Sequence, residues 1–360
     1  MANAKFRNVK ISGIVTFVAD LERSIDDEVH LYGDNKSQIE RIKSAIGLNK
    51  RRVVDCNTTA LDLCLQAANF LINKMKFSAQ DLDGLIFVTQ TPDHYLPSNS
   101  SIIHGRLGLN DNCASLDLNQ GCSGYVYGLW MAHMMISSGS CSKVLLLAGD
   151  TMSRAVNPMD RSSAPLFGDA GSATLIEKTD TNQESNFSLN TNGTGFDAII
   201  IPAGGFRLPA SNKTSLASKD NEGNWRSENN IHMNGVKVFN FALKTVPKAV
   251  TDLLGYANIS IEDIDFFVFH QANKYVINNI CKKLNLSYEK APSDTVGKYG
   301  NQGPSSIPAT INDALNLEMG SSQKKIMLSG FGVGLSWANA IVELNNIFCP
   351  KIQIFEKDLK

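Results

Sequence analysis

The sequence predicts an α/β protein made of two similar halves. Apolar runs rich in Val, Ile, Leu and Phe alternate with amphipathic helical stretches, which is the pattern of an α/β fold. A weak internal repeat accompanies this alternation. The segment around Asp83 resembles the segment around Asp265, 182 residues later, and the segment ending at Gly149 resembles the one ending at Gly330, 181 residues later. Two independent matches at almost one spacing predict a duplicated half.

Short apolar segments predict strands, and several are apolar nearly throughout, as expected of strands covered on both faces. They are Leu85–Thr89, Cys113–Leu118, Val144–Ala148, Ser172–Ile176, Phe266–Phe269 and Lys325–Ser329. Longer segments with helical periodicity predict the helices. They are Thr58–Lys74, Gly124–Ser138, Val236–Leu254, Lys274–Leu284 and Ser305–Leu317.

Polar stretches indicate how the chain is organised. We expect an N-terminal half at residues 1–180, a C-terminal half at residues 181–345 and an extra tail at residues 346–360. The boundary falls where Lys178–Gly193 is rich in Asn, Thr and Ser. A second polar, Gly-rich stretch at residues 202–230 is expected to be a surface excursion that could cover a pocket.

Composition and charge exclude several classes of protein. The 360 residues are 43% hydrophobic, enough for a large buried core, and the net charge of −1 argues against a nucleic-acid binder. No long apolar stretch is present, so we expect neither a signal peptide nor a membrane span. Seven scattered cysteines without a CxxC pair predict reduced thiols in a cytoplasmic protein. Because no metal-ligand cluster or nucleotide motif is found, we expect no bound cofactor or metal.

Cys122 is the candidate nucleophile. It follows the predicted strand that ends at Leu118 and precedes the predicted helix at Gly124, so it lies at or near a helix N-terminus. Unpaired N–H groups and the helix dipole favour a thiolate there, and the thiolate is the reactive form. Gly121 and Gly124 would allow close approach of a substrate. On local sequence alone, a buried structural cysteine explains Cys122 equally well, and it is the better explanation of the other six cysteines.

His270 and Asn301 are candidate hydrogen-bond donors. His270 follows the predicted strand Phe266–Phe269, and sites in α/β proteins form at the carboxyl ends of strands. Taken alone, each residue is better explained structurally, His270 by a backbone hydrogen bond and Asn301 by turn chemistry. Together they could donate two hydrogen bonds to one thioester oxygen. The Gly330–Ser336 segment fails as a dinucleotide fingerprint because Leu335 takes the sixth position, and a turn presenting N–H groups to a reacting oxygen explains it better.

Taken in order, these segments resemble β-ketoacyl-acyl-carrier-protein synthase III and its relatives. The resemblance covers roughly residues 7–344. It is carried by Asn119–Tyr125, Asp160-Arg161, Phe167–Gly171, His270–Asn273, Tyr299–Asn301 and Gly330–Trp337. One segment alone would be weak, whereas the ordered set is highly specific. The resemblance implies the family's thiolase fold, in which two similar α/β halves form layers in the order α-β-α-β-α.

The resemblance also implies an acyltransferase that performs a decarboxylative Claisen condensation by a ping-pong mechanism. Cys122 would take an acyl group from a thioester primer, and backbone N–H groups of Cys122 and of the Gly332–Val333 turn would bind the oxyanion. His270 and Asn301 would bind the carbonyl of a malonyl-type thioester on an acyl carrier protein as carbon dioxide leaves. The carbanion would then attack acyl-Cys122 and release a β-ketoacyl product, as in fatty acid or polyketide synthesis. A homodimer is implied in the same way.

Four further residues are assigned through the resemblance. Arg161 matches an arginine on the adenine side of coenzyme A, but the family's N-terminal Trp and Arg for that ligand are replaced. A primer linked to coenzyme A and one on a carrier protein therefore both stay open. Leu96 replaces an aromatic residue of the acyl pocket, which suggests a specialised synthase, for example for a secondary metabolite or a glycan acyl group. Lys282 and Lys283 are candidate docking residues for an acidic carrier protein, or a solvated helix face.

Three alternatives remain open. A thiolase-fold acyltransferase could move the acyl group from Cys122 to an alcohol or amine, although the presence of Asn301 with His270 favours carbanion chemistry. A condensation like that of 3-hydroxy-3-methylglutaryl-coenzyme A synthase would need an acidic residue at the position of Gln90, which argues against it. Asp93 is near in the sequence, so this alternative stays open. A non-catalytic partner subunit would usually lose the Cys, His or Asn, and all three are present.

Overall fold

The computed structural model describes residues 2–221, 223–319 and 322–357, which form two large β-sheets with helices on and between them. The strands are β1 (Ala2–Arg7), β2 (Val9–Val18), β3 (Leu21–Ser24), β4 (Lys50–Val53), β5 (Gly84–Val88), β6 (Ala114–Leu118), β7 (Lys143–Asp150), β8 (Ala170–Lys178), β9 (Glu184–Thr191), β10 (Ile199–Ile200), β11 (Ser218–Lys219), β12 (Trp225–Arg226), β13 (His232–Met233), β14 (Phe266–Phe269), β15 (Gln323–Gly332), β16 (Ser336–Asn345) and β17 (Gln353–Ile354). The helices are α1 (Lys36–Ile46), α2 (Ala60–Met75), α3 (Asn99–Leu107), α4 (Gly124–Ser137), α5 (Gly235–Ala257), α6 (Lys274–Leu284), α7 (Thr295–Tyr299), α8 (Ser306–Ala314) and α9 (Asn316–Met319). In the described ranges, none of the helices combines the length and the apolar character that crossing a membrane requires.

The two sheets repeat one strand order. The six-stranded sheet has the order β17-β2-β8-β7-β5-β6, and the five-stranded sheet has the order β1-β9-β16-β15-β14. The pairs β2–β8 and β8–β7 are antiparallel and β7–β5 is parallel. In the other sheet β9–β16 and β16–β15 are antiparallel and β15–β14 is parallel. The two similar halves predicted from the sequence are therefore confirmed.

Matching hydrogen bonds explain why the repeat is visible in the sequence. Just before β5, the Asp83 carboxylate accepts the N–H of Lys143 at 2.9 Å and ties the strand to β7. Just before β14, the Asp265 carboxylate accepts the N–H of Lys325 at 2.7 Å and ties that strand to β15. Each aspartate thus ties together two neighbouring parallel strands of its sheet.

Helices α4 and α8 form the middle layer of the molecule. One buried cluster joins the inner faces of both sheets through these helices and includes Tyr125, Leu146, Ile311 and Leu328. Helices α2 and α3 cover the outer face of the six-stranded sheet, while α5 and α6 cover the outer face of the five-stranded sheet. Helix α4 is rich in apolar residues on all sides because both of its neighbours are sheets. The predicted α-β-α-β-α layering is confirmed.

Most predicted elements are present, with ends that differ by a few residues. The strand Phe266–Phe269 and the helix Lys274–Leu284 have the predicted bounds. The predicted extent of the helix Ser305–Leu317 is wrong, because the helix is interrupted after Ala314 and forms two helices, α8 and α9. The sequence does not predict β1, β2, β9 or β16.

The polar stretch chosen as the boundary between the halves contains a strand. Glu184–Thr191 forms β9 inside the five-stranded sheet, where Asn186 and Ser188 are buried. Their polarity hides the strand from a pattern based on apolar residues. Two terminal strands also cross the expected boundaries, β1 into the five-stranded sheet and β17 into the six-stranded sheet. The division at residues 180 and 345 stays a prediction.

The excursion at residues 202–230 leaves from and returns to the antiparallel pair β10–β13. Its described part contains only the two-residue strands β11 and β12. The guanidinium of Arg226 pairs with the buried Asp160 carboxylate at 2.6 Å and anchors the excursion to the first half. The base of the excursion is therefore fixed against the loop between β7 and β8.

Candidate active site

Cys122 lies where β6 leads into the central helix α4. The strand ends at Leu118, the N–H of Gly124 donates to the Gly121 carbonyl at 2.7 Å, and α4 begins at Gly124. Cys122 therefore lies near the N-terminus of α4, as predicted. The residue is only partly buried, because it lines a cavity to which both halves contribute.

The glycine-rich turn after β15 packs directly on Cys122. A Cβ atom on Gly332 would lie 2.8 Å from the Cys122 Sγ atom, and a Cβ atom on Gly330 would lie 2.8 Å from the Cys122 carbonyl oxygen. Glycine at both positions makes this approach possible. The approach brings the N–H of Val333 to the sulfur, alongside the N–H of Cys122 itself.

The expected thiolate is not the resting form of Cys122. Burial raises the pKa of the Cys122 thiol to about 12, while the N–H groups of Val333 and Cys122 act in the opposite direction. Loss of water around the sulfur therefore outweighs the favourable N–H groups. The N–H groups favour the thiolate as expected, and burial opposes them with the larger effect.

His270 directly follows β14 and presents a neutral ring. The backbone N–H of His270 donates to the Ser329 carbonyl at 2.8 Å, and the ring Nδ1 lies 2.7 Å from the Ser306 hydroxyl. That hydroxyl accepts the N–H of Gln271 at 3.3 Å, and we assign the ring proton to Nε2, with the hydroxyl donating to Nδ1. Burial lowers the pKa of His270 to about 4, with a backbone hydrogen bond to Gly303 opposing it. At neutral pH the ring is a hydrogen-bond donor without charge.

Asn301 is held by its backbone and by its own side-chain oxygen. Its N–H donates to the Leu166 carbonyl at 2.9 Å, and its carbonyl accepts the N–H of Gly168 at 3.0 Å. A Cβ atom on Gly168 would overlap the Tyr299 carbonyl oxygen, so the backbone approach requires glycine. The Asn301 Oδ1 atom accepts the N–H of Gly303 at 3.1 Å. This bond orients the amide and leaves its NH₂ group available as a donor.

A cavity of about 610 Å³ brings these groups together. Cys122, His270 and Asn301 line it, and so do Gly332 and Val333. Among the described residues that line this cavity, Cys122 and His270 are the only side chains that titrate. Most of the wall is apolar, which strengthens any hydrogen bond made inside. The apolar side chains are Met152, Leu166, Phe167, Ile199, Ile200, Ile201, Ile231, Met233, Val238, Phe239, Ala272, Val276, Phe331 and Val333.

Four other predicted residues lie outside this cavity. Leu96 is 87% exposed, and Arg161 is exposed with its carbonyl accepting the Tyr32 hydroxyl at 2.9 Å. Lys282 and Lys283 are exposed in the last turn of α6, whereas the beginning of that helix lines the cavity. The length of α6 places them about 15 Å from its first turn. The roles of these four residues stay predictions.

Two polar residues behind the site are not found from the sequence. Ser306 bonds to the His270 ring, but nothing in its local sequence distinguishes it from neighbouring serines. Asp150 is buried at the end of β7, and one of its oxygens accepts four hydrogen bonds from residues 89–91. Burial raises the pKa of Asp150 to about 6, although these hydrogen bonds oppose the rise. For Asp150, the sequence did contain a signal, because an acidic residue at the carboxyl end of an apolar strand is typical of a site in an α/β protein.

Sequence comparisons place the chain among known proteins. Residues 116–193 match the family model of 3-oxoacyl-[acyl-carrier-protein (ACP)] synthase III, and residues 254–344 match the model of its C-terminal part. A putative 3-oxoacyl-[acyl-carrier-protein] synthase 3 of Campylobacter jejuni is 38% identical over 356 residues, which cover 98% of this chain and 99% of that protein. The chain belongs to the β-ketoacyl-acyl-carrier-protein synthase III family. The β-ketoacyl-[acyl-carrier-protein] synthase III of Natranaerobius thermophilus is 32% identical over 329 residues, covering 89% of this chain and 97% of that protein.

A solved structure agrees with this membership of the synthase III family. The crystal structure of a 3-oxoacyl-(acyl-carrier protein) synthase from Burkholderia xenovorans matches with a TM-score of 0.91 at 34% identity, covering 98% of both chains. The family resemblance read from the motifs, the thiolase fold and the acyltransferase class are confirmed.

Proposed function

We propose that this synthase III family member condenses an acyl thioester primer with a malonyl-type thioester on an acyl carrier protein, with loss of carbon dioxide. The observation that carries the proposal is the arrangement of two donor sets in one largely apolar cavity. Backbone N–H groups surround the Cys122 sulfur, while His270 and Asn301 each have one polar atom fixed and one donor available. The first set suits a nucleophile and its oxyanion, and the second suits an enolate.

In the first half-reaction, the Cys122 sulfur attacks the carbonyl carbon of the primer thioester. The carbon–sulfur bond to the carrier breaks, and the carrier leaves as a thiol with the proton that Cys122 gives up. The oxygen of the tetrahedral intermediate accepts hydrogen bonds from the N–H groups of Cys122 and Val333. Both donors belong to the backbone, one in the turn before α4 and one in the turn packed against it, so they need little reorganisation as the charge develops.

In the second half-reaction, the malonyl-type thioester loses its terminal carboxylate as carbon dioxide. The bonding electrons form an enolate whose oxygen accepts from His270 Nε2–H and the Asn301 NH₂ group. The carbanion carbon then attacks the acyl-Cys122 carbonyl, the bond to sulfur breaks, and a β-ketoacyl thioester is released. A neutral histidine suits this role, because its donor does not depend on a proton gained near pH 7.

Binding of the carrier, assembly and compartment complete the proposal. The acyl carrier protein is acidic in this family, and the exposed Lys282 and Lys283 would attract it, with Arg161 on the primer side. We expect a homodimer in which the exposed Leu96 shapes the acyl pocket of the partner. All seven cysteines lie in described parts of the chain and are free thiols, which supports a reducing compartment such as the cytoplasm.

Intact-protein mass spectrometry tests the nucleophile. The protein is incubated with a panel of acyl-coenzyme A and acyl-carrier thioesters beside a Cys122→Ala control. We expect a mass gain of one acyl group on the native protein and none on the control. A folded native protein that gains no acyl group from any donor would favour the partner-subunit alternative. An adduct also present on the control would place the nucleophile elsewhere.

A further inference from the structure

Three side-chain amides line the cavity beside Cys122 and have no part in the reaction described above. They belong to Gln90, Asn119 and Gln120. Among the described residues, none of the three side chains has a hydrogen-bond partner. Gln90 and Gln120 are partly buried and Asn119 is exposed, so their amides present unpaired donors and acceptors that a polar ligand can bind.

The strand register brings these amides to the carboxyl ends of two neighbouring strands of the six-stranded sheet. The parallel strands β5 and β6 pair Val88 with Leu118 at their carboxyl ends. Gln90 follows Val88 by two residues, and Gln120 follows Leu118 by two residues. Asn119 lies between Leu118 and Gln120 in the chain. The backbone of Gln90 is fixed, because its N–H donates to the buried Asp150 carboxylate at 2.7 Å. This bond holds the backbone from which the Gln90 amide extends.

The amide of Gln90 lies directly against the residue that precedes the nucleophile. A Cβ atom on Gly121 would lie 2.6 Å from the Gln90 Oε1 atom and 3.0 Å from the Val333 Cβ atom. The missing side chain at Gly121 thus makes room for the amide next to the turn that carries the Val333 N–H. Gln90 therefore lies beside the residue that precedes Cys122 and near Val333, whose N–H contacts the Cys122 sulfur.

The character of these groups selects the ligand. Amides donate and accept hydrogen bonds without charge, so they match a hydroxyl or oxo group. Among the described lining residues, none is Lys or Arg, so the cavity has no counter-charge for a carboxylate on the primer. An unsubstituted alkyl group would leave the amides unpaired, which costs binding.

Building on the proposed function, we infer that the primer carries a hydroxyl or oxo group close to its thioester and that Gln90 recognises it. Gln90 is then a specificity-determining residue, and Gln120 supports it from the neighbouring loop. The cavity favours a polar short acyl group over the alkyl group of equal length.

A competition between matched primers tests this inference. Wild-type protein is offered equal amounts of butanoyl, 3-hydroxybutanoyl and 3-oxobutanoyl pantetheine, and the adducts on Cys122 are separated by mass. We expect the two oxygenated groups to load faster than butanoyl. In Gln90→Leu the ratio should fall by about 10-fold or more, with butanoyl loading kept. Gln323→Leu, at an exposed glutamine at the start of β15, is the matched control and should keep the wild-type ratio.

The outcomes separate this inference from the function on which it rests. Loading of all three groups at equal rates, or a wild-type ratio in folded Gln90→Leu, would overturn the role of Gln90 and leave acyl transfer intact. If Gln90→Leu does not fold, the near-isosteric Gln90→Met takes its place, and a wild-type ratio in that variant would overturn the inference. Failure of the wild-type protein to gain any of the acyl groups would contradict the proposed function itself and the inference with it.

Discussion

The variant Gly332→Ala places one methyl group against the nucleophile. Its Cβ atom would lie 2.8 Å from the Sγ atom and 2.9 Å from the Cβ atom of Cys122. Ordinary contacts between carbon atoms lie near 3.5–4.0 Å, so the thiol or the turn must move by roughly 1 Å. Misplacement of a reacting group by about 1 Å costs on the order of 100-fold in rate. Overpacking of this kind costs about 1–3 kcal/mol of folding free energy, which a folded protein can lose without unfolding.

We therefore expect folded Gly332→Ala to acylate Cys122 about 100-fold more slowly. The rate of adduct formation is followed by intact-protein mass spectrometry, and thermal unfolding is measured on the same samples. Gly255→Ala is the control, because a Cβ atom at this exposed position of α5 meets no atom within 4 Å. It should acylate normally and gain up to about 1 kcal/mol of stability. A wild-type acylation rate in Gly332→Ala would refute the packing of this turn against the thiol.

Three further predictions concern the groups around the site. Asn301→Ala should spare acylation of Cys122 but slow release of carbon dioxide by about 100- to 1,000-fold, because one enolate donor is lost. Equal loss of both half-reactions would count against the division of roles. Ser306→Ala removes the hydroxyl that orients the His270 ring, so decarboxylation should fall by about 10-fold and recover in Ser306→Thr. No loss would mean that the hydroxyl does not position the ring. Asp150→Asn should gain unfolding free energy relative to wild type, by up to about 3 kcal/mol, between pH 4 and pH 7. Burial raises the pKa of Asp150 to about 6, so the folded wild type holds a proton that the unfolded chain releases, and its stability falls as pH rises through this window. Denaturant unfolding at both pH values measures the difference, and a constant difference would contradict the assignment.

Cys122 and His270 could be chosen as candidates because chemistry and topology coincide. Cys122 and His270 lie just beyond the carboxyl ends of apolar strands, where α/β sheets place their sites. The duplication brings those ends together, because each half repeats the same strand order and the two halves pack through α4 and α8. Asn301 has no such strand, and only the order of motifs along the chain identified it.

The remaining features depend on contacts that local sequence does not contain. The buried strand β9 carries Asn186 and Ser188 toward other polar groups, so its composition resembles that of a loop. Thr16 in β2 donates to Asn312 in α8 at 2.8 Å, a pairing across 296 residues. Ser306 and Asp150 likewise gain their roles from partners in other elements. Tertiary packing, and not local propensity, decides these positions.

Burial and the helix N-terminus act in opposite directions on the Cys122 thiol. A helix N-terminus stabilises an anion by about 0.3–1 kcal/mol, and by about 2 kcal/mol in favourable buried geometries. The larger figure lowers a pKa by only about 1.5 units. Burial is the larger effect, since the net result is a rise of the thiol pKa from 9.0 to about 12. The thiol therefore rests protonated, and its proton must leave as the bond to the acyl carbon forms.

The pH dependence of alkylation distinguishes a protonated thiol from a preformed thiolate. Iodoacetamide reacts with the thiolate, so labelling of Cys122 should keep rising with pH from about 7 to about 10 without a plateau. Labelling is measured at Cys122 by peptide mass spectrometry, with the exposed Cys56 of the same chain as the internal reference. A plateau that begins below about pH 8 would mean that the N–H groups of Val333 and Cys122 outweigh burial in the resting site. The rise expected here instead places activation of the nucleophile in the substrate complex.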